Sequence, residues 1–488
     1  MKAKRLTVIR KIGKDAAPRK KSLAAASSPK PSGHRTASSV AGVPLETCAD
    51  AAFEQLRPGL HRLVERGVWP GVAACAFVDG KLRLLDEFGH ADLESGQPMT
   101  SRSLVRLYSM TKCIVAAAVL QLVDSRKLGL DDRLSDHIPG FGKMYVIPEG
   151  EDGLPDEAHL EPACRPITIR HLLTHTSGIS CGPAVGIDGP KKRNARELAW
   201  LGIYNEVVGT ADRGEFRNLG AWVSEIAKLP LWNHPGDHYG YGYGYDILGH
   251  LVELKTGQQL AKYLRQHIFE PLGMRSTRFD LAGVSPASHL RRHLTVLYRH
   301  TKSAKWGSDG KRRSLVRVDP PRRGAASRWS VSCKLPSGGG SLTHLEGGLL
   351  STLDDYSRFL LAVTSGGAHP ATGVRVLSKK MAEMMFADQT ACLRPRRGAV
   401  QSPYDSNGLG LCCLGELLRR NAPCDEKWFD GVAGVRQWGG AASTAFKYDP
   451  NNGRPILLIV MTQAFPQDDG FTITEAMQLA RKAVSGSA

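Results

Sequence analysis

From Cys113 to Val123 the chain reads CIVAAAVLQLV, a helix-length run with no polar face. A helix that is apolar almost all round must be enclosed by other elements. The run is far short of the roughly 18 residues a membrane span needs. No apolar secretory segment opens the chain. The 488 residues and the 42% hydrophobic content are enough for one large composite domain or two intergrown ones.

The flanking patterns indicate what encloses this helix. A helix is expected near 46–66. "GVAACAFVDG" and "KLRLLDEFGH" flank Asp79-Gly80, a strong hairpin signal. The middle reads as helical: "ITIRHLLTH", "YDILGHLVELKTG" with Gly257 as its C-cap, and "QLAKYLRQHIFEPLGM", expected to stop before Pro271. "DDYSRFLLAVTSGG" resumes as a helix with Asp354 in its opening turn. "GLGLCCLGEL", "GVAGVRQWGG", "ASTAFKYDP" and "RPILLIVMTQAF" read as antiparallel strands, and a helix over about 470–484 closes the chain. The two strand groups are expected to join into one antiparallel sheet flanked by helices, with an all-helical part inserted. That is an α+β fold. The α/β part is expected over about 45–110 and 346–488, the helical part over about 111–283, and a basic insertion with little core over 284–345.

The net charge of +18 is confined to two segments. Residues 1–40 and 290–330 each carry a net +10, so the remainder is nearly neutral. Residues 1–44 read as a disordered basic tail or an organellar transit peptide. The expected location is intracellular, either cytoplasmic or organellar. The basic segments are expected to be solvated, with weak polyanion contact as the alternative. No zinc-finger or aromatic-interleaved pattern points to specific nucleic-acid binding. Ten cysteines without a CxxC pair read as free thiols.

Three Ser-x-x-Lys spacings occur: Ser27/Lys30, Ser109/Lys112 and Ser308/Lys311. The first and third fall in the basic segments. Ser109 instead opens the apolar helix, where residues three apart face the same way. Its hydroxyl can then lie beside an amine, at a helix end whose N–H groups suit an oxyanion. Alternatively, Ser109 only caps the helix and Lys112 reaches to solvent. A serine hydroxyl needs a base, and lysine serves only if burial or a nearby cation lowers its pKa.

"LYSMTKCIVAAAVLQLVDSRKLGLDDRLSDHIPGF" resembles the active-site helix of the serine β-lactamase-related family. That family includes class C β-lactamases, DD-peptidases and family VIII carboxylesterases. "WPGVAACAFVDGKLRLLDEFGHADLESGQPM", "ITIRHLLTHTSGI", "HPGDHYGYGYGYDILGHLVELKTGQQLAKYLRQHIFEPLGMRST", "EGGLLSTLDDYSRFL" and "WGGAASTAFKYDP" resemble its further blocks in order, over about 50–465. The resemblance implies a β-lactamase/transpeptidase-like fold, Ser109 as nucleophile, Lys112 as first base and a tyrosine as partner. Of the four tyrosines in "HYGYGYGYD", Tyr241 lies five residues after Gly236 and five before Asp246, which is the family's spacing. Tyr239, Tyr243 and Tyr245 are then packing or pocket-wall residues, with Tyr243 facing substrate.

Two departures bear on substrate. β-Lactamases carry an asparagine where Tyr243 stands, and Lys-Thr-Gly where this chain has Trp438-Gly439-Gly440. The Trp-Gly-Gly strand resembles that of family VIII esterases. By analogy, the backbone N–H groups of Ser109 and Ala441 form the oxyanion hole. Trp438 offers an apolar wall, and Gly439 and Gly440 allow close backbone approach.

Other signals are weaker. "GISCG" matches a nucleophile elbow at Ser180 but lacks the strand-to-helix context. His171 and His175 are four apart, yet no His-Glu-x-x-His pattern and no third ligand accompany them. Both are expected to have surface or capping roles, and no metal or cofactor is expected. Asp246 is expected to support the turn into its helix. The reading is a serine hydrolase that cleaves small to medium esters through an acyl-enzyme. The alternatives are a β-lactamase or DD-peptidase-type amidase at the same site, and a catalytically silent scaffold or binding protein of the same fold.

Overall fold

Asp79 and Gly80 both have positive φ, 52° and 74°. This is the backbone of a two-residue hairpin turn whose twist matches its strands. It joins β1 (Gly71–Val78) to β2 (Lys81–Asp92). The computed structural model describes residues 39–45, 51–148, 150, 154–179, 202–204, 207, 216–300, 315–319, 348–390, 410–411, 432, 434–450, 454–465 and 471–486. All of them lie within the unit Thr36–Ala488.

Beside this hairpin lies β3 (Gln97–Pro98), and from the end of the chain come β4 (Arg436–Gly440), β5 (Thr444–Asp449) and β6 (Ile456–Met461). The sheet order is β4-β5-β6-β1-β2-β3, with antiparallel neighbours throughout. The two strand groups therefore merge at β6 and β1, with Ile456 opposite Val78 and Met461 opposite Ala73.

The helices that matter to the site are α1 (Leu56–Glu65), α2 (Thr111–Asp124), α3 (Ile169–Leu173), α4 (Gly244–Thr256), α5 (Leu353–Thr364) and α6 (Phe471–Gly486). Alternate side chains of the sheet go to opposite faces. Val72, Ala74, Ala76 and Leu458 pack under α1 and α6, through Leu56, Leu60, Met477 and Ala480. Ala73, Cys75, Phe77 and Ile459 belong to the larger core, which includes Tyr356, Phe359 and Leu360 of α5. With both faces covered, every residue of β1 is buried.

The helix α2 lies deep in that larger core, with Thr111 to Leu120 and Leu122 all buried. It packs against α4. Enclosing each large aliphatic side chain contributes about 1.5–3 kcal/mol. A β-branched residue costs a helix at most about 0.7 kcal/mol. Burial therefore dominates, and Ile114, Val115 and Val119 are tolerated in the helix.

Several expectations need correction. The tail expected over 1–44 does not include its last residues. Val40 and Ala41 are fully buried, and the Ala41 N–H donates to Asp354 Oδ1 at 2.7 Å. A few apolar residues escape notice when composition is averaged over a long polar stretch. The helix ending at Pro271 instead runs on to Leu272, through a π-helical turn at Arg265–Phe269. Pro271 sits in the first turn of the final segment, where its missing N–H costs nothing. Within 284–345, Thr295 to Tyr298 are buried, so this stretch contributes to the core. Leu297–His300 pairs with Leu315–Asp319 and with Ala464–Phe465. The strand expected at "GLGLCCLGEL" falls largely outside the described residues.

Candidate active site

Ser109 lies in a 3-10 turn, Tyr108–Met110, immediately before α2. Tyr108 has φ of +48°, an uncommon backbone state for a non-glycine residue. Surrounding bonds hold it there. The Leu107 N–H donates to Leu349 O at 2.8 Å, and the Leu349 N–H donates to Thr111 Oγ1 at 3.0 Å. The Tyr356 hydroxyl donates to Met110 O at 2.9 Å. The Ncap position of α2 belongs to Met110, which makes no side-chain cap. Ser109 is therefore not the cap of α2.

The Ser109 hydroxyl instead meets the phenol of Tyr241, with Oγ and Oη 2.6 Å apart. Lys112 does not reach solvent, since it is only 3% exposed. Its Nζ donates to Ser109 Oγ at 3.4 Å and lies 4.8 Å from the centre of the Tyr241 ring. Lys112, three residues along the chain, and Tyr241, 132 residues away, thus meet at one hydroxyl.

Tyr241 precedes α4 in a loop held by α3 and the residues after it. The Gly236 N–H donates to Thr176 O and the Gly240 N–H to His175 O, both at 2.7 Å. Tyr245 is buried and donates to Leu173 O at 2.8 Å. Tyr243 turns into an aromatic cluster, 5.4 Å from Trp222 and 6.2 Å from Tyr204 between ring centres. Tyr239 lies 5.9 Å from His175. Asp246 is buried in the opening turn of α4.

The other wall is β4. Trp438 Nε1 donates to the Ser109 carbonyl at 3.1 Å, and its ring centre is 6.2 Å from that of Tyr241. The expected apolar wall therefore also fixes the backbone of the serine turn. Gly439 and Gly440 pair with Ala445 and Thr444 on β5. A Cβ on Gly440 would lie 2.2 Å from the Leu107 carbonyl oxygen. Only glycine lets this strand lie against the residues leading into Ser109. Ala441 follows directly and packs in a small cluster with Tyr108, Ala442 and Leu297. Gly440→Ala is expected to cost about 1–3 kcal/mol of stability, as overpacking does. It should also reduce activity by displacing β4 from the serine turn. Urea unfolding and a turnover assay on the same variant would check both.

The two histidines separate, contrary to the expectation that both serve as surface or capping groups. His171 does cap: its Nδ1 accepts the Thr168 N–H at 3.2 Å, completing a capping box on α3. His175 is 2% exposed, and its ring centre lies 4.6 Å from that of Tyr241. Burial, then the nearby Lys112 charge, holds its imidazole well below the ordinary value, so the ring beside the site is neutral. Residue type and spacing could not tell which of the two turned inward. His175 also has a positive φ of 53°. Among the described residues, no group of three or more His, Cys, Asp or Glu side chains could hold a metal. Ser180 lies outside the described residues.

Burial, followed by the Arg165 charge, holds His171 at about 4 instead of 6.5. Between those values the unfolded chain binds a proton that the folded chain does not. Stability should therefore fall as pH drops from 6.5 towards 4. His171→Gln keeps a capping partner and should flatten this slope. Asp355 acts with the opposite sign, because burial pushes its carboxyl up from 3.8 to about 6. Its contribution is complete below 3.8 and is lost as pH rises through 6. Unfolding free energies of wild type, His171→Gln and Asp355→Asn against pH would separate the two.

Comparison with known proteins supports one family. The Beta-lactamase family model matches residues 60–482. The chain is 30% identical over 434 residues to Esterase EstB of Burkholderia gladioli, covering 88% of this chain and 93% of that one. It is 28% identical over 408 residues to Protein Rv1367c of Mycobacterium tuberculosis, covering 83% and 89%. The fold is similar to that of Simvastatin Synthase from Aspergillus terreus, with a TM-score of 0.63 at 20% identity over 89% of this chain and 98% of that chain.

Proposed function

The chain belongs to the Beta-lactamase family, and from that premise we propose that it cleaves carboxylic esters through an acyl-enzyme on Ser109. The observation that carries the reading is the meeting of Tyr241 Oη and Lys112 Nζ at Ser109 Oγ, at 2.6 and 3.4 Å. In its free-amine form Lys112 takes the serine proton as Oγ adds to the ester carbonyl. The backbone N–H groups of Ser109 and Ala441 receive the oxyanion. Tyr241 relays that proton from Lys112 to the leaving alcohol, and the acyl group remains on Oγ. Water then attacks the acyl-enzyme, with the same groups moving the proton back.

Ester rather than amide chemistry rests on the walls. Trp438 stands where a β-lactamase has a lysine, and its indole N–H is engaged by the Ser109 carbonyl. Tyr243, packed on Trp222 and Tyr204, supplies an aromatic surface in place of an amide. Neither residue offers a cation to a substrate carboxylate, so a neutral ester suits the site better than a β-lactam. Esterase EstB carries that activity in its name, which agrees with this choice.

The test has two arms. A fluorophosphonate probe followed by peptide mapping should place the label on Ser109. Paired rates should show turnover of an aryl acetate well above that of a chromogenic cephalosporin. Fast cephalosporin turnover with no ester hydrolysis would replace the esterase by an amidase. Absence of labelling would favour a silent protein of the same fold.

A further inference from the structure

We propose that a cavity framed by Arg102, Arg275, His289 and Arg358 binds a small polyanion carrying phosphate or several carboxylates. Its volume is about 620 Å³, within the range of small-molecule sites. Four separate segments converge on it. Arg102 follows β3, Arg275 follows the turn at Gly273, His289 opens the short helix His289–Arg292, and Arg358 lies on α5. None of these residues belongs to the Ser109 site, so the proposal stands independently of the esterase reading.

The charge balance points to an anion. Asp354 and Asp355 also line the cavity, but both are already engaged. Asp355 Oδ2 accepts the Ser276 N–H at 2.7 Å and the Thr277 hydroxyl at 2.9 Å. Asp354 Oδ1 accepts the Ala41 N–H, and its Oδ2 faces Arg358 at 3.3 Å. Among the described residues, Arg102 and Arg275 have no carboxylate within ion-pair distance. The surplus is felt nearby. His293, whose ring centre is 4.2 Å from that of His289, is lowered by burial and then by His289, Arg102 and Arg292. Arg102 and Arg275 line the open volume without a carboxylate partner, and Arg358 adds a third guanidinium beside Asp354. A ligand with two or more negative charges can accept paired N–H donors from such forks.

The experiment uses the full chain and two probes, inorganic phosphate and citrate, titrated calorimetrically at constant ionic strength. Saturable binding of either at one equivalent is expected, and the tighter of the two identifies the preferred headgroup. Arg102→Gln/Arg275→Gln should weaken it roughly tenfold or more, with unchanged fluorophosphonate labelling. If the double variant melts early, Arg275→Gln alone, at an exposed position, serves instead. A control variant neutralises Lys127 and Lys380, which are exposed and do not line the cavity. No saturable binding, binding undiminished in the arginine variants, or binding lost in the control variant would each overturn the proposal.

Discussion

Ser109→Ala is expected to lower aryl-acetate turnover by roughly 10⁴-fold or more, as loss of a nucleophile does in other serine hydrolases. The hydroxyl is the atom that would carry the acyl group, and His175, whose ring centre lies 4.6 Å from that of Tyr241, is held neutral. The fold should survive. The turn is fixed by backbone and neighbouring contacts at Leu107, Met110 and Thr111, and these do not involve Oγ. One lost hydroxyl in a polar pocket costs about 1 kcal/mol. The melting temperature should shift by only a few degrees while fluorophosphonate labelling disappears. Turnover persisting in this variant would remove Ser109 from the chemistry.

Tyr241→Phe is the second informative change. It keeps the ring against His175, Trp438 and Lys112, at 4.6, 6.2 and 4.8 Å, and deletes only Oη. A drop in kcat of roughly 10²–10⁴ with little change in KM is expected for loss of a proton-transfer group. Lys112→Met should fall in the same range. The double variant should be barely worse than either single one, because the two groups act on one proton. Full additivity would mean that they serve separate steps. A KM rise with unchanged kcat would make Tyr241 a binding residue only.

The register of the sheet shows why some features were legible in the sequence. Asp79-Gly80 specifies its hairpin through local backbone preference, and β6 is apolar along its length because both of its faces are covered. Gly257 ends α4 with a φ of 66°, as its place after the apolar pattern suggests. Local preference was not enough at Ser109. The pattern placed this residue at the start of a helix, but α2 begins at Thr111 and the serine sits in a tighter turn. Trp438 and Leu349 create that turn from segments more than 200 residues away.

Periodicity and turn chemistry located the main hairpin and the helices α2, α4 and α5, because both depend on neighbours within a few residues. The family motifs marked Ser109, Lys112 and Tyr241 as candidates. The approach of Tyr241 to Ser109, the inward turn of His175 and the burial of Val40 and Leu297 were not written locally. Each follows from packing between segments that meet only in the folded chain. The same holds for the arginine-lined cavity, whose charges are scattered from residue 102 to residue 358 and form a common field only where four loops and helices converge.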